Sequence, residues 1–465
     1  MAISTNASIL AMLKTYYKKE GVANLLFRNS PLLAKINKDR VEGKTQNFAA
    51  MYSRGGAASG DFTAAKALAA TVSKNVEFAV EPGQIFSVYT MNAKEVLASK
   101  TRAGAYMKIS GAKMFAASES LRKTLAAALY GSGYGELCAA PTTAMTASTA
   151  LDITLSDDVI MKIDVGSKLV IKATKDTAES AATNTLVVNS INGNIVNVTP
   201  TTTATASSGY VLCLAGSTDG TAPLLPIGLD GWLPVKAKRT GSAWKSYIGT
   251  AFFGVTRSVS ADRLAGAFYD GTSETVAAKQ KKSYGVQELI RKLRRQGSLC
   301  DLIVLNDADF RDFASEIETT NTYFTSTNGK GKKTANTGIS EITAGFSTSW
   351  VENCFDDPYC PAGRFYVLDS SAVEFWGYTN TEPVNDGIAN NDPGKQDPMA
   401  MDNAGKETDP MQLLVDDLFT VTSGADGVDG PSVLVALNLF GSFVVTNPSV
   451  CGVGEFYGST DFAAA

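Results

Sequence analysis

Apolar residues recur at three- and four-residue steps from Met114 through Ala117, Leu121 and Leu125 to Ala128. This spacing predicts one uninterrupted helix over residues 110–130. Ser110 can accept from the free amides at its start, and Gly131 can take the left-handed conformation that ends it. Glu119 and Lys123 make an i,i+4 charge pair on another face. About twenty residues at 1.5 Å each give a rod of roughly 30 Å, and its many alanines let neighbouring elements come close.

Upstream the pattern is different. Ile9, Leu10, Leu13 and Tyr16 predict a short amphipathic helix, and Leu32, Leu33 and Ile36 after Ser30-Pro31 predict another. Between about 43 and 93 the period becomes two. Val76, Phe78 and Val80 alternate with other residues, then Phe86, Val88 and Thr90, with Pro82-Gly83 suited to a type II turn between them. The glycine-rich RGGAASGD at 54–61 marks a tip. Such an arm has too few apolar residues for a core of its own, and it gains stability by lying on something else.

Downstream, short β runs are expected at 159–163, 168–171, 185–188, 195–198 and 210–214. Turn signals at Val165-Gly166 and Asn192-Gly193-Asn194 separate them. Five strands in this span predict a small barrel or sandwich, read as an insertion because α/β patterning resumes after Trp232. A helix follows near 274–295, then an apolar strand at 302–305. A second helix is expected at 307–318, capped by Asp307, with Phe310 and Phe313 facing inward. Residues 364–376 read as strand, turn and strand. Two apolar strands, 432–439 and 442–446, are expected to join at Phe440-Gly441 and to close the sheet centrally. The intervening stretches 319–338 and 379–410 are long loops.

Composition narrows the possibilities. At 465 residues two or three folding units are expected. The chain has no histidine, which excludes Ser-His-Asp and Cys-His catalysis and removes the commonest transition-metal ligand. Its six cysteines include no C-x-x-C pair, and Cys354 and Cys360 match no common metal spacing, so buried reduced thiols are expected. No secretory signal and no membrane span are expected. The net charge of −4 hides a polarity. Residues 1–44 carry eight basic and three acidic groups, whereas from Asp356 onward there are three basic and seventeen acidic. Either these ends are solvated surface or they meet between subunits.

Candidate chemistry is sparse. Gly131, Gly133 and Gly135 follow a helix, whereas a phosphate loop must follow a strand and open a helix. They are read as helix termination. Asp356-Asp357 and Asp416-Asp417 are adjacent, so on a strand each pair points to opposite faces and makes no acid/base couple. Asp386, Asn390, Asn391, Asp392 and Asp397 offer oxygen ligands for calcium without the spacing of a known calcium loop. The basic stretch 279–295 contains one aromatic residue, Tyr284, so only non-specific phosphate contact or a solvated face fits it. No catalytic, cofactor-binding or metal-binding residue is assigned, and no cofactor is expected.

The order of parts, with GVTRSVSADRLAG at 254–266, DLIVLNDADF at 301–310, RFYVLD at 364–369 and FVVTNPSVCGVGEF at 443–456, resembles the major capsid protein of tailed bacteriophages. The resemblance covers most of the chain and implies the α+β Hong Kong ninety-seven fold. It implies an N-terminal arm (1–41), an extended β loop (42–100), a spine-helix region (101–136), an inserted β-rich domain (137–232), a mixed axial and peripheral domain (233–410) and closing C-terminal strands (411–465). The insertion departs from the minimal family pattern. The implied role is structural, not enzymatic: self-assembly into hexamers and pentamers of an icosahedral shell around double-stranded DNA, in a virion assembled in the host cytoplasm. Implied partners are further copies of the chain, scaffolding and portal proteins, non-specifically held DNA and a decoration protein, with no membrane. An encapsulin-like cargo shell, and a carbohydrate-binding or hydrolytic phage-tail protein, stay open as alternatives.

Overall fold

The computed structural model describes residues 32, 35–41, 43–53, 59–68, 74–92, 109–141, 144–174, 177–179, 185–202, 204–205, 210–235, 239, 252–320, 344–346, 349–351, 353–378, 411–420 and 432–458. The helix expected near 9–16, most of the tip at 54–61, and both long loops beyond Thr320 and Tyr378 lie outside these. The chain divides into a larger unit (Ser30–Gly83, Ala126–Trp376, Ser442–Ala465) and a smaller one (Met1–Asn29, Gln84–Leu125, Gly377–Gly441).

Along the chain come β1 (Asn37–Arg40), β2 (Gln46–Ser53), α1 (Phe62–Leu68), β3 (Lys74–Val80), β4 (Gly83–Asn92) and α2 (Ile109–Leu129). The long helix thus stands where the 3.6-residue period put it. Ala117, Leu121, Leu125 and Ala128 are all buried, and Glu119 lies 3.3 Å from Arg122. Its end differs from expectation. Gly131 is not left-handed; Gly133 (φ 90°) and Gly135 (φ 66°) are. The last turn tightens instead, with the Gly131 amide donating to the Ala128 carbonyl at 3.0 Å.

The arm also pairs differently. β3 runs antiparallel to β2, with Gln46 opposite Val80 and Phe48 opposite Phe78. β4 pairs elsewhere, so Pro82-Gly83 is no hairpin turn. Gly83 meets a different need: a Cβ there would sit 2.5 Å from the Pro226 nitrogen, so only glycine lets the two backbones pass.

In the larger unit, residues 136–214 hold β5 (Glu136–Ala139), β6 (Leu151–Thr154), α3 (Asp157–Ile160), β7 (Lys168–Lys172), β8 (Thr185–Asn192), β9 (Ile195–Pro200) and β10 (Val211–Leu214). The strands form an antiparallel sheet in the order β5-β10-β7-β8-β9-β6. The 8/9 hairpin turns at Gly193 (φ 58°), as the Asn-Gly signal predicts. Leu169, Ile171, Leu186, Val188, Val196 and Leu212 bury one face of the sheet. Residues 159–163 are not a strand. Ser156, Asp157 and Asp158 open a helical turn, and Val159 and Ile163, four apart, point into the same core.

The rest of this unit holds α4 (Leu229–Trp232), α5 (Ala261–Leu264), β11 (Ala267–Asp270), α6 (Lys282–Arg295), β12 (Leu302–Leu305), α7 (Asp307–Thr320), β13 (Asn353–Asp356), β14 (Arg364–Leu368) and β15 (Val373–Gly377). After β16 (Met411–Thr420) and β17 (Ser432–Val445) the described chain ends with β18 (Gly452–Glu455). A mixed sheet runs β11-β18-β14-β12-β13, with parallel pairs at both ends. α6 and α7 pack on it through Leu289, Leu293 and Phe313. α6 starts at Lys282, later than the expected 274, because 277–279 form a separate 3-10 turn. The cap of α7 is Asn306, not Asp307: its buried Oδ1 accepts from the Ala308 amide at 3.1 Å, while Nδ2 donates to the Cys360 carbonyl.

β17 is one continuous fourteen-residue strand, so Phe440-Gly441 makes no turn. In the smaller unit its N-terminal part pairs with β16, from Met411 opposite Leu439 to Thr420 opposite Ser432.

One contact is unforgiving. A Cβ on Gly228 would lie 2.2 Å from the carbonyl oxygens of both Ala128 and Leu129, at the end of α2. Backbone cannot swing aside as a side chain can. Gly228→Ala is therefore expected to cost about 3 kcal/mol, the upper end for overpacking, seen as a lowered thermal midpoint. An unchanged midpoint would show that this packing is looser than the distances imply.

Candidate subunit-contact elements

The hairpin of β2 and β3 is rooted in aromatic residues. Phe48 stacks on Phe78 at 5.1 Å, and both rings adjoin Trp232, at 6.1 and 5.4 Å. Phe252 and Phe253 close around the same indole at 4.9 and 5.5 Å. Trp232 is fully buried, and its Nε1 donates to the Phe443 carbonyl at 2.7 Å. The Ala79 amide donates to the Phe253 carbonyl, and Arg263 donates to the carbonyl of Tyr52.

Away from that root the hairpin is uncovered. Among the described residues β2 and β3 pair only with each other. Lys74 and Asn75 are exposed, Met51 is 61% exposed, and Phe62 on α1 is 81% exposed. A two-stranded ribbon is marginal in water unless something packs on it. Its open edges and exposed apolar side chains are the physical description of a docking element.

Buried cations tie the segments around the root together. Arg257 donates to the carbonyls of Trp232 and Gly231 at 2.9 and 2.8 Å and lies 3.6 Å from the Phe252 ring centroid. Burial pulls its pKa well below the usual arginine value; the Arg239 charge adds to the shift and Asp230 opposes it. Arg239 donates to the carbonyls of Pro234 and Gly266 at 2.6 and 2.7 Å, and burial lowers it to about 10. Arg364 lies 3.2 Å from Asp230, with both side chains buried. These groups are held by carbonyls and carboxylates of the fold. They are fasteners.

The residues singled out for chemistry fall into structural roles. Asp357 is fully buried and accepts from the Tyr130 hydroxyl at 2.9 Å, fastening the end of α2. Burial first, then the Asp357 charge, push the Tyr130 phenol well above its usual value. Asp356 and Asp357 therefore form no acid/base couple. Asp416 and Asp417 lie on β16, Asp416 in register with Leu434 of β17 and Asp417 within the register shift that follows. Part of the basic run of α6 is engaged within the fold: Arg291 pairs with Glu288, and Lys292 donates to the Phe268 carbonyl at 3.0 Å. The calcium candidates between 386 and 397 lie outside the described residues. Among the described residues no three His, Cys, Asp or Glu side chains converge as a metal site would need, and no helix is long and apolar enough to cross a membrane.

A cavity of about 600 Å³ in the larger unit is lined by Cys138, Asp158, Lys282, Asp309, Arg364 and Tyr457 among others. Lys282 is paired with Asp309 at 2.8 Å and Arg364 with Asp230. Burial and then the Asp158 charge push the Cys138 thiol up to about 12, so it holds its proton and offers no thiolate. All six cysteines are free.

No protein-family model matches the chain, and no curated protein does. Solved structures do. A chain of the cyanophage A-1(L) capsid asymmetric unit superposes with a TM-score of 0.51 at 13% identity, over 96% of this chain and 97% of that one. The chain has a phage-capsid fold. Structures from Mycobacterium phage Adephagia (9% identity, 99% of each chain, TM-score 0.42) and of the holo-SrpI encapsulin complex from Synechococcus elongatus PCC 7942 (7%, 99% and 100%, TM-score 0.43) also align.

Within this capsid fold, sequence reasoning found the long helix and the existence of an arm. It missed Trp232 as the arm's anchor and the buried Arg239, Arg257 and Arg364. The signal for Trp232 was its place near the end of residues 176–235, a stretch without Lys or Arg, in a short apolar run. The arginines carried none, because nothing in a linear pattern separates a buried guanidinium from a solvated one.

Proposed function

We propose that this chain is a structural capsid protein whose copies assemble into hexamers and pentamers of an icosahedral shell around double-stranded DNA. The observation that carries the reading is the β2–β3 hairpin: rooted by five aromatic rings around and including Trp232, yet with open edges, Met51 and Phe62 uncovered. A neighbouring copy that covered this ribbon would satisfy its edges and remove apolar surface from water. The role is one of assembly, not catalysis, and the product is a virion component formed in the host cell. Residues 137–232 serve as an accessory β domain, and scaffolding, portal and decoration proteins are the further partners. DNA is held non-specifically, by cations other than Arg291 and Lys292, which are engaged in the fold.

The test is size. The purified chain is expected to elute as a megadalton species and to show rings or shells by electron microscopy; a monomer at every concentration would overturn the reading. Deleting residues 54–74, which spares the aromatic root, is expected to leave a subunit with its unfolding midpoint kept but to abolish closed shells. Normal shells from that variant would remove the arm from the assembly.

A further inference from the structure

β7 ends in a lysine that the fold buries. Leu169 and Ile171 of this strand belong to the core of the inserted sheet, so Lys172 lies on the opposite face, where it is 1% exposed. Its Nζ donates to Thr218 Oγ1 at 3.0 Å and lies 3.1 Å from Glu179 Oε1. A buried ammonium is tolerated when an anion stands beside it. Here that anion is Glu179.

The lysine is one of several groups that receive this carboxylate. The Gly216 amide donates to Oε2 at 2.8 Å and the Ser217 amide to Oε1 at 3.2 Å. The hydroxyls of Ser217 and Thr218 lie 3.4 and 3.5 Å from the same Oε1. Gly216 is left-handed, with φ 76°, and the two successive amides at 216 and 217 converge on one carboxylate, as in the backbone nests that hold anions. Burial pushes the Glu179 carboxyl up, but the Gly216 amide and Lys172 outweigh it and hold it below its usual value.

The receiving groups are fixed by contacts that do not involve Glu179. The Ala215 amide donates to the Lys168 carbonyl at 3.0 Å, and the Leu224 amide to the Ser217 carbonyl at 2.9 Å. Thr218 stands in register with Pro223. Ser217 and Thr218 are buried, and Ser217 packs so closely on Gly135 that a Cβ there would lie 2.8 Å from its own. Gly216 is exposed, which leaves the donors a route to solvent. Glu179, by contrast, is held among the described residues through its carboxylate. A fixed set of donors faces a single anionic group that enters it. That is the division between receptor and ligand.

We propose that Lys172, Gly216, Ser217 and Thr218 form a carboxylate-binding site, that Glu179 is its tethered occupant, and that a small free carboxylate takes the same place when Glu179 is removed. Tethering gives Glu179 a high effective concentration, so free carboxylate does not compete visibly in the wild-type chain. Without it the site presents a buried ammonium, two amides and two hydroxyls with no anion among them, and a carboxylate matches that donor set. The proposal is independent of the shell reading.

The test is chemical rescue of the full-length chain, read as its thermal unfolding midpoint in sodium acetate and in sodium chloride at matched ionic strength. Glu179→Ala is expected to lower the midpoint in chloride. Acetate should restore at least half of that loss and reach a plateau as its concentration rises. Wild type, and the double variant Glu179→Ala with Lys172→Met, should show no such difference between the two salts. Equal midpoints of Glu179→Ala in acetate and chloride would overturn the proposal. So would an acetate effect of the same size in wild type or in the double variant, because that is a general action of the salt. Glu179→Gln, which keeps the shape and loses the charge, is read in the same way should Glu179→Ala not fold in chloride. Folding of either variant in acetate and not in chloride supports the site. Failure of both to fold in acetate overturns it, since a filled site would replace the missing carboxylate.

Discussion

Trp232→Ala is expected to cost about 3–5 kcal/mol, the range for removing a large buried aromatic, and to loosen the β2–β3 hairpin before the mixed sheet. The indole touches Phe48, Phe78, Phe252 and Phe253, so the cavity would open where the hairpin, the 252–255 turn and α4 converge. It would also remove the 2.7 Å hydrogen bond to the Phe443 carbonyl. Urea unfolding measures the loss, and hydrogen exchange locates it: amides of Gln46–Ser53 and Lys74–Val80 should lose protection while those of Leu302–Leu305 keep most of theirs. A loss below about 1 kcal/mol would mean that the aromatic cluster relaxes freely, outside the usual range for such a site.

Arg364→Met should be of similar size for a different reason. It leaves Asp230 buried without its 3.2 Å partner, and breaking one side of a buried pair typically costs about 3–5 kcal/mol. Adding Asp230→Asn should restore much of the loss, because the stranded charge is then gone. The pH dependence has a definite sign. Losing the Arg364 cation makes this buried carboxyl, which Arg257 still faces, take up a proton more readily in the folded variant than in the folded wild type, so its folded pKa is raised. The deficit of Arg364→Met should therefore shrink as pH falls towards and below that raised pKa. A deficit unchanged with pH, or a double variant no better than the single one, would show that Asp230 is already satisfied by its other neighbours.

What could be read from the sequence was what depends on near neighbours in the chain. The period through Met114 to Ala128, the apolar run at Leu302–Leu305 and the Asn-Gly hairpin at 192–194 each rest on a few consecutive residues, and each stands in the structure. Pairing across distance did not come through. β3 could close on β2 before it or β4 after it with the same alternation, and Pro82-Gly83 favoured the wrong neighbour. The deciding contact is with Leu225-Pro226, more than a hundred residues away. Residues 159–163 misled because VIMKI fits period two and one helical turn alike, and the acidic pair ahead of it settles the choice. Phe440-Gly441 looked like a break, since glycine is rare in strand interiors, yet β17 passes straight through it. The candidate contact elements were half legible: an arm short of a core was visible, whereas its anchor depends on rings from four separate segments.

The open hairpin also sets a clock. Under the shell reading proposed above, a subunit not yet covered by a neighbour carries strand edges able to pair with other exposed edges. Lys74 at the start of β3 and the exposed Asn47–Glu77 hydrogen bond act as guards, because charge and fixed polar groups slow edge-to-edge pairing. They delay rather than prevent it. If the shell reading holds, capture of the ribbon by a neighbour must outrun aggregation, so assembly would be a matter of kinetics and concentration as much as of the stability of the fold.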